Sequence, residues 1–246
     1  MLAAVASRVR RVDIGTAVLL PALRNPALLA HQVATLDQVA EGRLILGVGI
    51  AADVPNIRQE FTAAGVPFEK RVGRLLEGLR LARSLWSGKP VDWDGRWKVE
   101  HGILGPTPTR SGSADRCPRA PIARVASSTA GCRSPRLLIN GLAYVSHRTP
   151  GRDANAVTGA MYLTVAIDED PSRANERLNT YLEQYYGQPA AVMRSRQACY
   201  DGPNGGLPEW LQGYAQAGTT HLVLRFAGHH ERHLETVAVL RSKLAS

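Results

Sequence analysis

Residues 12–51, VDIGTAVLLPALRNPALLAHQVATLDQVAEGRLILGVGIA, decide the fold. Val12–Leu20 is a nearly continuous apolar run, rich in β-branched residues and stopped by Pro21. Such a run predicts a strand buried on both faces, as in a parallel sheet. Asn25 then offers a side-chain cap, Pro26 the fixed φ suited to a first helical position, and Gly42 a stop just past the end. Between them Leu29, Val33, Leu36 and Ala40 recur at i, i+4, i+7 and i+11, laying one apolar stripe along the helix. Arg43–Ile50 (RLILGVGI) reads as a second buried strand.

The same alternation continues downstream. A looser stretch holding Pro55 and Pro67 leads into a helix marked by Val72, Leu75, Leu76, Leu79, Ala82 and Trp86, ending near Gly88. Residues 91–104 predict a short hairpin around Asp94-Gly95. Residues 110–136 have little periodicity, although Pro121–Ala126 and, further on, Gly141–Ser146 are candidate strands. Met161–Ile167 is a clear strand, followed by a helix with Leu178, Tyr181, Leu182 and Tyr185 on one face. Pro208–Ala217 reads as a short helix and His221–Phe226 as the last strand. In the closing helix Leu234, Val237, Ala238 and Leu244 are expected to face inward. Repeated strand-then-helix order predicts an α/β fold on a parallel sheet. Periodicity does not choose between a barrel and an open sheet, and no solenoid-type repeat is visible.

Size and composition bound the function. The 246 residues can bury one sizeable core, and a single (β/α)8 barrel is typically ~250 residues. No apolar run reaches the ~20 residues that span a bilayer, so no membrane is expected as a partner. The opening MLAAVASRVRR places charge after its apolar stretch, the reverse of a signal peptide. Cys117, Cys132 and Cys199 are odd in number and widely spaced, which reads as free thiols and a cytoplasmic setting. Of the net charge of +9, six arginines and Asp115 between Arg110 and Arg136 carry +5. No aromatics interleave with those arginines, so a solvated segment is expected there and nucleic acid is not.

Three motifs invite chemistry. Gly47-Val48-Gly49-Ile50-Ala51-Ala52 follows a strand and fits GxGxxA, the turn at which a dinucleotide pyrophosphate meets a helix start. Pro55 is expected to interrupt that helix, and Glu69 sits in PFEKR instead of at a strand end, so a Rossmann-type NAD-binding protein is the lesser reading. The glycines then relieve crowding. His229, His230 and His233 with Glu231 look metal-like, yet HHERH is not HExxH. A solvated helix start is expected instead, with no metal. His31 falls on the helix after Pro26, and no Ser/His/Asp or Cys/His set can be assembled.

GTAVLLPALRNPALLAHQVATLDQVAEGRLILGVGIA closely resembles the third strand, third helix and fourth strand of bacterial luciferase-like flavin- or deazaflavin-dependent oxidoreductases. EFTAAGVPFEKRVGRLLEGLRLARSLWSGKPVDWDGRWKV resembles the following segment, and AGTTHLVLRF the eighth strand. The resemblance implies a (β/α)8 TIM barrel formed as one domain over residues 1–246. Its cofactor is FMN or coenzyme F420, lying across the C-terminal mouth of the barrel. Thr16, Ala17 and Val18 match the strand end where the family's backbone, often through a non-proline cis peptide, bulges against the flavin ring. Gly47, Gly49, Ile50 and Ala51 match the next strand end, where small residues let the ring approach. Ser127 and Ser128 match hydroxyls that hold the cofactor phosphate, although a helix cap explains them equally. The cofactor carries the redox chemistry in this family, so no catalytic side chain is assigned.

The partner implied is a small-molecule substrate, with a homodimer left open. Residues 1–12 resemble the family's second helix and the turn into its third strand. An incomplete barrel lacking the first two strands is therefore expected, and residues 111–140 depart from the family's pattern. The alternative reading is a non-catalytic barrel remnant stabilised by a partner chain.

Overall fold

A computed structural model describes residues 1–109, 160–217, 219 and 221–244. The chain divides into two compact units, Met1–Ile122 and Ala123–Ser246.

The first unit is built on a βαβ unit. Helix α1 (Leu2–Arg8) leads to strand β1 (Ile14–Leu19), helix α2 (Pro26–Val39) and strand β2 (Leu44–Val48). The expected cap forms: the Asn25 side chain accepts from the amides of Ala27 and Leu28 at 2.9 and 3.3 Å, with Pro26 in the first turn. Past the end of α2, Glu41 and Gly42 take positive φ, and Arg43 enters β2. The Arg43 guanidinium donates to the carbonyls of Ala6, Val9 and Val12, so one side chain ties α1 and its exit to the start of β2. β1 and β2 are parallel, with Ile14 opposite Leu44 and Thr16 opposite Leu46.

Helix α3 (Pro55–Ala63) and helix α4 (Arg71–Leu85) follow, then a hairpin of β3 (Val91–Asp94) and β4 (Lys98–Gly102). Pro55 opens α3 instead of interrupting a helix, because a proline lacks only an amide that the first turn leaves unpaired anyway. The core joins Ile14, Leu44 and Leu46 of the sheet to Leu29 and Val33 of α2 and Leu75, Leu81 and Leu85 of α4. Ala30, Ala34 and Ala82 are fully buried, and their small side chains let α2 and α4 approach closely. Trp86 locks that contact by donating its indole N–H to the Ala30 carbonyl at 2.9 Å. The inward face of α4 differs from the periodic reading: Leu81 and Leu85 are buried, while Val72 and Leu76 are 41% and 55% exposed.

Two buried carboxylates pin the periphery of this unit. Glu77 of α4 accepts from the Arg96 amide at 2.6 Å and pairs with the Arg96 guanidinium, fixing the hairpin turn. Asp37 of α2, 2% exposed, accepts from the amide and hydroxyl of Thr109 at 2.8 and 2.5 Å.

The second unit contains β5 (Ala160–Ile167), α5 (Pro171–Tyr186), α6 (Ala190–Arg194), β6 (Ala198–Gly202), α7 (Leu207–Gln216), β7 (His221–Phe226) and α8 (His230–Leu244). Asp170 caps α5 through the Ser172 amide, and Gly187 ends it at φ 60°. The three strands are parallel in the order β6-β5-β7. Leu163 and Val165 pack with Leu207, Leu211 and Leu240 of α7 and α8, whereas Ala166 packs with Leu178 and Leu182 of α5. Both faces of β5 are thus covered, which is why its sequence is largely apolar, with the buried Thr164 hydroxyl donated to Gln197.

α8 is rotated from the expected face. His233 and Leu240 are buried, and Leu234 is 57% exposed. The predicted α/β class holds, and the described strands form one three-stranded and two two-stranded sheets without closing a barrel. The candidate strands at 121–126 and 141–146 lie outside the described residues.

Candidate functional site

β1 and β2 come apart in register at their C-terminal ends. Thr16 lies opposite Leu46, and the next pair is Leu19 with Val48, so Ala17 and Val18 together face the single residue Gly47. This is a β-bulge, a device that re-aims side chains beside functional sites. The Ala17–Val18 peptide is cis. Thr16 braces the bulge from within by donating its hydroxyl to the Gly47 carbonyl at 2.8 Å. The Gly49 amide donates to the Leu19 carbonyl at 2.9 Å and closes the far side.

The glycines fit this geometry tightly. A Cβ at Gly47 would stand 2.0 Å from the Thr16 carbonyl oxygen, and one at Gly49 2.5 Å from Val18 Cγ2. Both contacts are with β1, so crowding between the strands is what excludes a side chain there. Ala51 takes φ 76°, turning the chain away from the strand end.

The outcome is a small apolar platform. Val18 is 41% and Ile50 50% exposed, Ala17 is exposed, and Gly49 and Ala51 are half-buried. The expectation that both faces of residues 12–20 are buried therefore fails: Gly15, Ala17 and Val18 are exposed while Ile14 is buried. The physical reason is that α2 and α4 cover only one side of the β1–β2 pair. Thr16, Ala17, Val18, Gly47, Gly49, Ile50 and Ala51 are brought together in one place; Ser127 and Ser128 lie outside the described residues.

No platform residue ionises. Two residues past Ala51, Asp53 forms a two-point ion pair with Arg58 at 2.6 and 2.9 Å. The hydrogen bond from Arg58 holds the Asp53 carboxyl below its usual range. Sequence reasoning missed this pair, because five residues separate its members. A hollow lined by Arg58, Phe61, Val66 and Phe68 includes none of the platform residues.

The GxGxxA segment does not lead into a helix start. Residues 49–54 form a loop, and α3 begins only at Pro55 behind an uncapped Val54. A pyrophosphate cradle of the dinucleotide type is not formed there.

In the second unit Asp168 closes β5. It pairs with Arg173 and Arg177 at 3.0 and 3.3 Å and accepts from the Asp170 amide, the main cause of its lowered pKa. His229 and His230 are exposed, as a solvated helix start requires, but His233 is 1% exposed. Its Nε2 lies 3.1 Å from the Ile167 carbonyl, and burial lowers its pKa. Among the described residues no group of three His, Cys, Asp or Glu side chains could hold a metal ion. Nor is any described helix long and apolar enough to cross a membrane.

Comparison with known proteins agrees with this architecture. The family model for the luciferase-like monooxygenases matches residues 1–134. The F420-dependent glucose-6-phosphate dehydrogenase of Nocardia farcinica is 27% identical over 263 residues, covering 94% of this chain and 78% of that protein. An F420-dependent secondary alcohol dehydrogenase, solved with an F420-acetone adduct, superposes with a TM-score of 0.69 at 20% identity, over 91% of this chain and 76% of that one. The oxygenating constituent of 3,6-diketocamphane monooxygenase from Pseudomonas putida, solved with FMN, gives 0.60 at 16% identity, over 98% and 79%. At those identities the two structures speak for the fold.

Proposed function

Because the chain belongs to the luciferase-like monooxygenase family, we propose that it is an oxidoreductase whose β1–β2 platform receives the tricyclic ring of coenzyme F420. The observation that carries this reading is the bulge, which sets Ala17 and Val18 outward beside Ile50 on an otherwise uncharged strand end. A flat, largely apolar ring is the ligand such a surface accommodates, because Val18 and Ile50 lose water-exposed area against it. F420 is favoured over FMN because the Nocardia relative, matched along 94% of the chain, is F420-dependent.

The bound coenzyme supplies hydride transfer to or from a small organic substrate. The chain's own residues position it. Thr16 holds the bulge through the Gly47 carbonyl. Ala17, Val18 and Ile50 exclude water from one ring face. Ser127 and Ser128 supply hydroxyls for the phosphate. We place the protein in the cytoplasm, in keeping with three widely spaced cysteines that form no CxxC, and take a homodimer as its assembly.

The test is fluorescence titration of the full chain with F420 and, separately, FMN. Saturable F420 binding that a Val18→Arg change abolishes is expected; Val18 is exposed, so the variant folds. FMN binding in place of F420 selects the flavin monooxygenase reading. A folded protein that binds neither, or a Val18→Arg variant that binds as well as the parent, overturns the site.

A further inference from the structure

Arg225 of β7 sits half-buried among tyrosines on the α5 face of the second unit. Its guanidinium carbon lies 4.4 Å from the Tyr185 ring centre and 4.6 Å from that of Tyr162. Tyr181 and Tyr186 are at 6.0 and 5.8 Å. Its Nη1 donates to the Tyr186 hydroxyl at 2.9 Å. Among the described residues no carboxylate pairs with it, whereas Arg58, Arg96, Arg173, Arg177 and Arg194 each have one. A half-buried cation without a counter-charge is costly unless something supplies the charge.

The tyrosines do not supply it. Burial raises the phenols of Tyr162, Tyr181 and Tyr186, with Tyr162 pushed up to about 12, so they remain neutral hydroxyls at physiological pH. The polar surroundings are also rich in donors. Tyr186 and Thr164 both direct their hydroxyls at Gln197 Oε1, at 3.5 and 3.1 Å. The other end of that amide, Nε2, is buried without a partner, and Gln197 is 9% exposed. An unpaired amide N–H at Gln197 and a guanidinium with no carboxylate among the described residues are what an oxyanion satisfies, since it brings both charge and acceptors.

We infer that Arg225, with the hydroxyls of Tyr162, Tyr181 and Tyr186 around it, binds a phosphate-type oxyanion. The inference does not rest on the proposed cofactor. Arg225 is only half-buried and its neighbour Tyr185 is 52% exposed, and the rings hold the guanidinium by cation–π attraction. Arginine's planar fork suits a tetrahedral oxyanion bound through two parallel hydrogen bonds.

The test is a cofactor-free titration of the full chain with inorganic phosphate and with phenyl phosphate. Tyrosine fluorescence and thermal midpoint are read at constant ionic strength against chloride and acetate. Saturable phosphate binding is expected, weakened about tenfold or more in Arg225→Gln. Tyr181→Phe, which keeps the ring, is expected to weaken it roughly threefold and serves if Arg225→Gln fails to fold. Ser127→Ala/Ser128→Ala is expected to leave this response unchanged, which separates it from the phosphate site proposed for the cofactor. Tighter binding of phenyl phosphate than of phosphate assigns the site to a phosphorylated organic molecule; equal binding assigns it to free phosphate. No response beyond chloride, a preference for acetate, or full binding by both variants at Arg225 and Tyr181 overturns the inference.

Discussion

Replacing Gly47 by alanine tests whether contact between the strands builds the platform. The added Cβ would lie 2.0 Å from the Thr16 carbonyl oxygen, more than an ångström inside the 3.4 Å where ordinary contact begins. Both partners are backbone, so no rotamer change relieves the overlap; β1 and β2 must separate or the bulge must unwind. Forcing a methyl into a packed site costs about 1–3 kcal/mol. Loss of the Thr16 hydroxyl bond to the Gly47 carbonyl adds about 1 kcal/mol. The sum is a destabilisation of roughly 2–4 kcal/mol, or a fall in Tm of about 4–16 °C for a chain of this size. The assay is thermal unfolding followed by circular dichroism, with F420 titration at 15 °C below the variant's midpoint. Gly205→Ala is the control, because a Cβ there meets nothing within 4 Å. Should Gly47→Ala unfold within 1 °C of the parent and bind cofactor equally, the reasoning about crowding and bulge is wrong.

Three further outcomes follow from buried polar groups. Asp37→Ala removes the carboxylate that accepts two hydrogen bonds from Thr109 and is expected to cost about 2–3 kcal/mol, read as a lower urea midpoint at an unchanged slope. His233 is depressed by burial below its ordinary 6.5, so the unfolded chain takes up the proton first. Its contribution is complete above pH 6.5 and falls as pH drops toward the depressed value. Urea midpoints between about pH 5 and 7.5 should show that decline in the parent and not in His233→Gln. Asp168 and Glu77 are depressed by hydrogen bonds from the Asp170 and Arg96 amides, so their contributions are complete above their ordinary values and lost at still lower pH.

The first unit was legible where local chemistry and packing agreed. Asn25, Pro26 and Gly42 bounded α2 because caps and turns act through neighbouring backbone. α3 was hidden by Pro55, which ends some helices and begins others, and only the chain preceding it decides which. β6, with the sequence ACYDG, carries neither alternation nor a β-branched residue and forms because β5 offers it an edge. α8 turned a different face inward because a carbonyl on β5 satisfies His233, a partner 66 residues away.

The platform residues followed from family resemblance, and for Gly47 the structure gives the expected relief of crowding its source. Gly47 is glycine because Thr16 presses on it, a reason that no reading of β2 alone contains. The Arg225 cluster was invisible for a related cause. Its rings come from β5 and the far end of α5, and each tyrosine alone reads as part of an amphipathic face.

The two-for-one step in β1 also resets the parity of the strand. A regular strand continuing from Ile14 and Thr16 would turn Val18 inward and Leu19 outward. With one residue in excess, Val18 stands in the open and Leu19 returns to pack on the core. Deleting either Ala17 or Val18 would restore one-for-one pairing with β2, leaving Leu19 inward opposite Val48 and a single outward residue opposite Gly47. The doubled outward surface depends on the extra residue, whereas the inward leucine is set by its pairing with Val48, so a one-residue deletion at the bulge removes the former and keeps the latter.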